Sequence, residues 1–197
     1  MVYFYWNYFL FLKINPINHE APHPFTITSA DPQVLRFAIK PLGTFTRRFG
    51  HVLQPGQAVE VDGPYGQFNF HSPRPHQVWV AGGIGIAPFM ARLEKLAADG
   101  GKSQNVDLWY CTRTLGQNQY PPQLETLCEQ TGVRLHRLID EHGQQLSPTH
   151  VLHGVQDISR ISVWFCGPAG FASVLRSEFT QLGLDDRDFH VERFTLR

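Results

Sequence analysis

The chain has 197 residues, 42% hydrophobic and 17% charged, which is enough apolar material for a folded core and too little charge for a disordered polypeptide. Lys plus Arg and Asp plus Glu each number 17, so the net charge is zero, which argues against a nucleic-acid binder or a binder of anionic membranes. The three cysteines, Cys111, Cys128 and Cys166, are far apart and form no CxxC pair, which removes the zinc-knuckle and disulfide-scaffold readings and fits a reducing, cytoplasmic compartment.

The chain opens on an aromatic run, Val2 to Leu12. It is shorter than the span of about 20 residues a membrane helix needs, and it lacks the basic start and small-residue cleavage site of a signal peptide. Aromatic residues favour strands, so a strand is expected over 8–14. Further strands are expected over 25–29, 34–40 and 58–61, punctuated by Pro16, Pro22, Pro32, Pro41 and Pro55, with a short helix over 46–52. This first part reads as a small antiparallel barrel or sandwich. The paired prolines of 71–75 resist both helix and ladder and mark a linker.

Beyond the linker, strands (78–81, 106–111, 133–138, 161–166, 189–194) alternate with helical patterns (88–98, 122–130, 147–152, 169–182). Alternation of this kind implies βαβ units, a parallel sheet and a doubly wound nucleotide-binding α/β domain. The expected domains are therefore 1–72, a partial barrel, and 77–197, the α/β domain.

The strongest local motif is Val80-Ala81-Gly82-Gly83-Ile84-Gly85-Ile86-Ala87-Pro88-Phe89. A strand runs into glycines and then into a helix. Gly83 and Gly85 would let the backbone turn tightly and approach a pyrophosphate, while Pro88 suits the first helical turn, whose amides favour an anion. The alternative is merely a tight strand-to-helix turn. The next strand ends in Thr112-Arg113-Thr114 instead of an acidic residue. An arginine flanked by hydroxyls suits a 2′-phosphate and points to NADP(H), with NAD(H) as the alternative and an ordinary surface arginine as the plain reading. Cys166-Gly167-Pro168 closes the fourth strand of the sheet, at the end where ligands sit, although a buried structural cysteine is equally consistent.

In the first part, His23-Pro24-Phe25-Thr26 sets an aromatic face beside a hydroxyl, which could hold a flat heterocycle. Gly43-Thr44-Phe45-Thr46 opens a helix that could hold a phosphate, with Arg47 and Arg48 close in the chain. Ten histidines invite a metal reading, but His19–His23 and His150–His153 join no further ligand at a recognised spacing, so no metal site is expected. No nucleophile elbow and no HExxH helix occurs, and hydrolase readings find no support.

Taken together, HPFTITSA, VDGPYG, GGIGIAPF, CGP and the closing FHVERF resemble, in order and spacing, the ferredoxin–NADP reductase superfamily, in its prokaryotic ferric reductase and NADPH oxidase-like branch. The likeness covers almost the whole chain. It implies that Phe25 stacks on the flavin of FAD and Thr26 hydrogen-bonds near its N5. It implies further that His23, Pro24, Lys40 and Thr46 serve the FAD side, with His23, Lys40 and Thr46 at the diphosphate. Gly83, Gly85 and Pro88 would cradle the NAD(P)H pyrophosphate, and Thr112 and Arg113 the adenosine phosphate. Cys166 and Gly167 would lie beside the nicotinamide, and Glu192 and Phe194 would close over the flavin. Thr26, Cys166 and Phe194 are the residues expected at the reacting rings.

The implied activity is hydride transfer from NAD(P)H to FAD and single-electron transfer onward to ferric iron, haem or another acceptor. Two alternatives stand beside it: a nucleotide-binding module without functional flavin, and the reductase component of a multi-component oxygenase. Relatives carry about two more barrel strands ahead of 8–14, and membrane-bound ones carry haem-bearing helices upstream. The chain is thus expected to be the C-terminal part of such a protein, at the cytoplasmic face of a membrane if the longer protein has one. Pairing of the aromatic strand with a second copy would give a homodimer.

Overall fold

The computed structural model describes residues 9–14, 23–31, 33–41, 43–66, 68–101, 105–114, 122–140, 145–155 and 157–192. The first third builds a three-stranded antiparallel sheet in which β1 (Phe9–Ile14) lies between β2 (His23–Thr26) and β3 (Val59–Tyr65). Alternation sorts β1 into two faces. Leu10 and Leu12 are buried on one, while the other stacks Phe9 and Phe11 against Tyr65 and pairs Lys13 with Glu60 at 3.0 Å. Helix α1 (Thr44–Val52) lays Phe45 and Phe49 against Phe25 and Ile39.

The strand expected over 34–40 does not form: only Phe37 bridges, to Ile27. Side chains take over the bonding there. The Ser29 hydroxyl donates to the Val34 carbonyl at 2.8 Å and accepts from the Arg36 amide at 3.1 Å, and the Asp31 carboxylate accepts from the Gln33 amide. Such local bonds offer the backbone an alternative to a ladder and fasten 28–36 as a compact loop.

Apolar runs dominate the second unit because its sheet is covered on both faces. The order is β6 (Arg134–Ile139), β5 (Val106–Thr112), β4 (His76–Gly82), β7 (Ile161–Cys166), β8 (Phe189–Val191), all parallel. Alternate residues of β4 face opposite cores. Trp79 and Ala81 join Phe89, Leu93, Leu108 and Trp164 under α2 (Ala87–Ala98) and α3 (Leu124–Thr131). Val78 and Val80 join Val163, Phe165, Leu175 and Phe179 under α4 (Pro148–Leu152) and α5 (Ala169–Gln181). Phe68 and Phe70 pack into the first of these cores, so apolar packing of the α/β unit begins ahead of the 71–75 segment. That segment carries neither strand nor helix and is tied by Arg74 to Asp188.

From β4 the chain moves outward to β5 and β6, then returns to place β7 on the other side of β4. A sheet that reverses direction leaves a crevice at the carboxyl ends of the two strands flanking the reversal. Here these are Gly82 and Cys166.

Candidate functional site

The crevice is built by glycines that differ in what they meet. A side-chain Cβ on Gly85 would lie 2.0 Å from the Cys166 carbonyl oxygen and 2.9 Å from the Gly167 nitrogen. On Gly167 it would lie 3.0 Å from the Gly82 Cα, and on Gly82 it would lie 2.8 Å from the Pro168 Cδ. These three are glycine so that the end of β4, the turn Gly83–Ile86 and the end of β7 can touch backbone to backbone. Gly83 is different: its φ is +57° and nothing among the described residues lies within 4 Å of the position of its Cβ. The turn therefore presents one open backbone face at Gly83 and leads into α2, with Pro88 in the first helical turn where its missing N–H costs nothing.

Cys166 ends β7 at this crevice, but its thiol belongs to the apolar core beside Trp79, Ala81 and Phe89. Burial, with the Glu192 carboxylate adding to it, pushes the thiol well above its ordinary range. Glu192 follows β8, and its amide donates to the Phe165 carbonyl at 3.1 Å. Its side chain is buried, which raises the carboxyl to about 7. The Oε1 atom lies 3.1 Å from where a Cβ on Gly66 would stand, and the Phe9 ring borders the same spot. The last described residue of the α/β unit thus meets the end of the VDGPYG segment and the first strand of the antiparallel sheet. Phe194 lies outside the described residues.

At the end of β5, Thr112 is buried and its hydroxyl has no hydrogen-bond partner among the described residues, while Arg113 is exposed just beyond it. Cys111 pairs with Gly82 in the ladder, so this end sits one strand from the glycine turn. A second group surrounds α1. The His23 imidazole stacks on Phe45 with ring centres 3.8 Å apart, and the half-buried Phe25 ring leans on Phe49. Pro24 is half-buried between them in sequence, and Thr26 is buried opposite Phe9. At the start of α1, the Gly43 amide donates to the Thr46 hydroxyl at 3.1 Å. The first turn carries no acidic residue, and Lys40, Arg47 and Arg48 are all exposed around it in the chain. A helix start of this kind favours an anion.

The structure therefore draws Gly83, Gly85, Cys166, Gly167 and Glu192 to one crevice, sets Thr112 and Arg113 on its flank, and groups His23, Phe25, Lys40 and Thr46 around α1. The sequence reading passed over Gly82, although its place in the Gly82-Gly83 pair signals a close approach. It also passed over a polar cluster at the opposite ends of the strands. There the Asp107 carboxylate accepts from Arg134 at 2.8 and 2.7 Å and bonds His76 at 2.6 Å and His136 at 2.7 Å. Burial alone would raise Asp107, but these partners outweigh it and hold the carboxyl well below the usual carboxylate range. An aspartate inside the apolar run of β5 was the available signal.

Among the described residues no group of three or more His, Cys, Asp or Glu is placed to hold a metal ion, and no helix is long and apolar enough to cross a membrane. Residues 3–69 match the FAD-binding domain family model. Vanillate O-demethylase oxidoreductase of Pseudomonas sp. (strain HR199 / DSM 7063) is 27% identical over 142 residues, 72% of this chain and 43% of that protein. Ferric reduction oxidase 3, mitochondrial, of Arabidopsis thaliana is 36% identical over 96 residues, 44% of this chain and 13% of that protein. The chain thus spans less than half the length of these relatives. Among solved structures, the flavohem-like FAD/NAD-binding domain of nitric oxide dioxygenase from Vibrio cholerae O1 biovar El Tor superposes with a TM-score of 0.81 at 18% identity, covering 98% of this chain and 86% of that one.

Proposed function

We propose that the chain is a ferredoxin–NADP reductase-type domain of the ferric-reductase branch, a flavin-dependent oxidoreductase domain that carries hydride from NAD(P)H to FAD and single electrons onward to an acceptor. The observation that carries this reading is the meeting of Glu192 with Gly66, because it sets the nucleotide crevice of one unit against the FAD-binding part of the other. FAD, when bound, supplies the step from a two-electron donor to a one-electron acceptor.

The residues fit both groups. For FAD, the exposed cations and acid-free first turn of α1 suit a diphosphate, and the half-buried Phe25 ring beside Thr26 suits a flat heterocycle. For the dinucleotide, Gly83 offers an open backbone face at a helix start, and Thr112 holds a buried hydroxyl in need of a partner. Glu192, raised to about 7, can hold or yield a proton at its carboxylate near neutral pH. The protein's own contribution is alignment and exclusion of water, since hydride transfer between two rings needs no acid or base on the chain. Arg113 makes NADPH the better donor. Ferric iron or haem is the acceptor class in this reading. The vanillate O-demethylase oxidoreductase relative favours a second one, in which the acceptor is an oxygenase component.

The test is an anaerobic titration of FAD-loaded protein with NADPH or NADH while the flavin absorbance is followed. Bleaching with either nucleotide supports the reading. Protein that takes up FAD and stays yellow under excess of both nucleotides overturns it.

A further inference from the structure

Helix α2 begins at the glycine turn, and about two helical turns along it, roughly 10 Å at 1.5 Å per residue, stands Glu94. Its neighbours Phe89, Met90 and Leu93 face the α/β core, but its carboxylate reaches into the other unit. Oε2 accepts from the Ala30 amide at 3.0 Å and Oε1 accepts from the Arg36 guanidinium at 2.9 Å. The Glu94 side chain is 20% exposed and that of Arg36 50%, so solvent screens the ion pair in part and the bond to the Ala30 amide less. Both donors belong to the loop around 28–36, whose parts 28–31 and 33–36 are bonded to each other. Ser29 is 2% exposed and bonds both Val34 and Arg36, the Thr28 amide donates to the Arg36 carbonyl, and Asp31 lies 3.8 Å from the same guanidinium.

That loop is the direct continuation of β2. Thr26 is four residues from Ala30, a span of at most about 14 Å of extended chain. The bridge from Ile27 to Phe37 and the bonds of Thr28 and Ser29 hold that stretch in place. One carboxylate on the helix that starts at the nucleotide turn therefore grips the chain just after the strand bearing Phe25 and Thr26.

We propose that Glu94 is a positioning residue: it straps the loop 28–36 to α2 and so sets the separation between the flavin-side strand and the glycine crevice. The inference rests on the electron-transfer reading above for its kinetic consequence, while the strap itself is a matter of structure alone. The bonds of Glu94 go to Ala30 and Arg36, outside the glycine turn and the α1 group, so it acts through distance and not through ligand contact. Hydride transfer is steep in distance, since a misplacement of about 1 Å can cost about a hundredfold.

The experiment compares the full chain with its Glu94→Ala and Glu94→Gln variants in three measurements: hydrogen exchange of the segment 28–36, affinity for FAD and for NADPH, and the limiting rate of flavin reduction under anaerobic stopped flow. In Glu94→Ala, exchange in 28–36 should rise about tenfold. Flavin reduction should slow by roughly ten- to a hundredfold, with both affinities within about twofold of the parent. Glu94→Gln keeps a neutral acceptor for the Ala30 amide, so it should recover most of the protection and come within about fivefold of the parental rate.

Unchanged exchange in Glu94→Ala overturns the strap whatever the kinetics show. Raised exchange with an unchanged rate overturns the positioning role, and so does a loss of FAD affinity as large as the loss of rate. If the parent protein binds FAD but no nucleotide reduces it, the electron-transfer reading fails. The strap is then judged on exchange alone, kept if Glu94→Ala loses protection and rejected if it does not.

Discussion

Adding one methyl group at Gly85 tests the crevice at its tightest point. The alanine Cβ would stand 2.0 Å from the Cys166 carbonyl oxygen, 2.5 Å from its carbon and 2.9 Å from the Gly167 nitrogen. Ordinary contact begins near 3.4 Å, so the turn and the end of β7 must part by about 1.4 Å. None of the three obstacles is a flexible side chain. All belong to the backbone where β7 leaves the middle of the sheet, between β4 and β8. Overpacking against such a site costs about 3 kcal/mol, at the upper end of the usual range. For a chain of this size each kcal/mol lowers the melting temperature by about 2–4 °C, so Gly85→Ala should melt roughly 6–12 °C below the parent.

Gly83→Ala is the matched control, because its φ of +57° strains an alanine while its Cβ position is open. The left-handed conformation costs about 1–2 kcal/mol, a drop of only a few degrees. If that open face is where a pyrophosphate lies, however, the methyl group should lower dinucleotide affinity by at least about tenfold, a loss near 1.4 kcal/mol. Circular dichroism melts and calorimetric titration of the two variants separate the effects. A Gly85→Ala protein melting within about 2 °C of the parent would refute the steric argument, given the expected several degrees. A Gly83→Ala protein that binds nucleotide like the parent would refute the ligand argument.

Other expected outcomes follow from charges. Arg113→Ala should erase most of a preference for NADPH over NADH of about ten- to a hundredfold, read from the two dissociation constants; equal affinities in the parent would remove Arg113 from the site. Asp107→Asn should cost about 2–3 kcal/mol, less than a fully buried pair because Arg134 is half exposed, and should show as a lowered denaturant midpoint. The folded carboxyl of Asp107 is depressed, so its contribution is complete above the ordinary carboxylate range and fades as pH falls below about 4; the variant should lose that acid limb of the stability profile. Glu192 has the opposite sign. Its carboxyl is raised from 4.5 to about 7, so stability falls as pH rises between those values. Glu192→Gln should flatten that window and be more stable than the parent by about 1–3 kcal/mol near pH 8; an unchanged pH–stability curve would show that Glu192 is solvated in solution.

Much of the second unit was legible because its signals are local and periodic. Uninterrupted apolar runs such as Val78–Ala81 mark strands covered on both faces, and β7 falls where it was expected, Ile161–Cys166. The glycine turn was legible as a turn, but the division of labour within it was not. That Gly85 meets the Cys166–Gly167 backbone and Gly167 that of Gly82, while Gly83 faces open space, depends on β7, some eighty residues away in the chain. The stretch 34–40 was misread as a strand because Leu35, Phe37 and Ile39 have the right alternation, while the bonds that override it come from the small side chains of Ser29 and Asp31. The partners of Asp107 and Glu94 could not be read at all. Each is made by strand order or packing between units, which no window of sequence contains.

The placement of polar contacts along the sheet bears on function. At the amino ends of β4, β5 and β6, Asp107 draws His76, Arg134 and His136 into one hydrogen-bonded knot that fastens three strands. At the carboxyl ends, β4 and β7 meet through bare glycine backbones, and the residues that flank them are a hydroxyl without a partner among the described residues at Thr112 and a carboxyl lifted by burial at Glu192. A folded chain gains nothing in stability from an unpaired buried hydroxyl or a desolvated carboxyl. Their collection at the one end where a sheet of this order opens a crevice is the pattern expected of the proposed binding site, and the knot at the other end offsets part of its cost. Loosening the knot should therefore lower stability and spare nucleotide affinity, whereas changes at Thr112 or Glu192 should alter affinity or its pH dependence and leave the sheet standing.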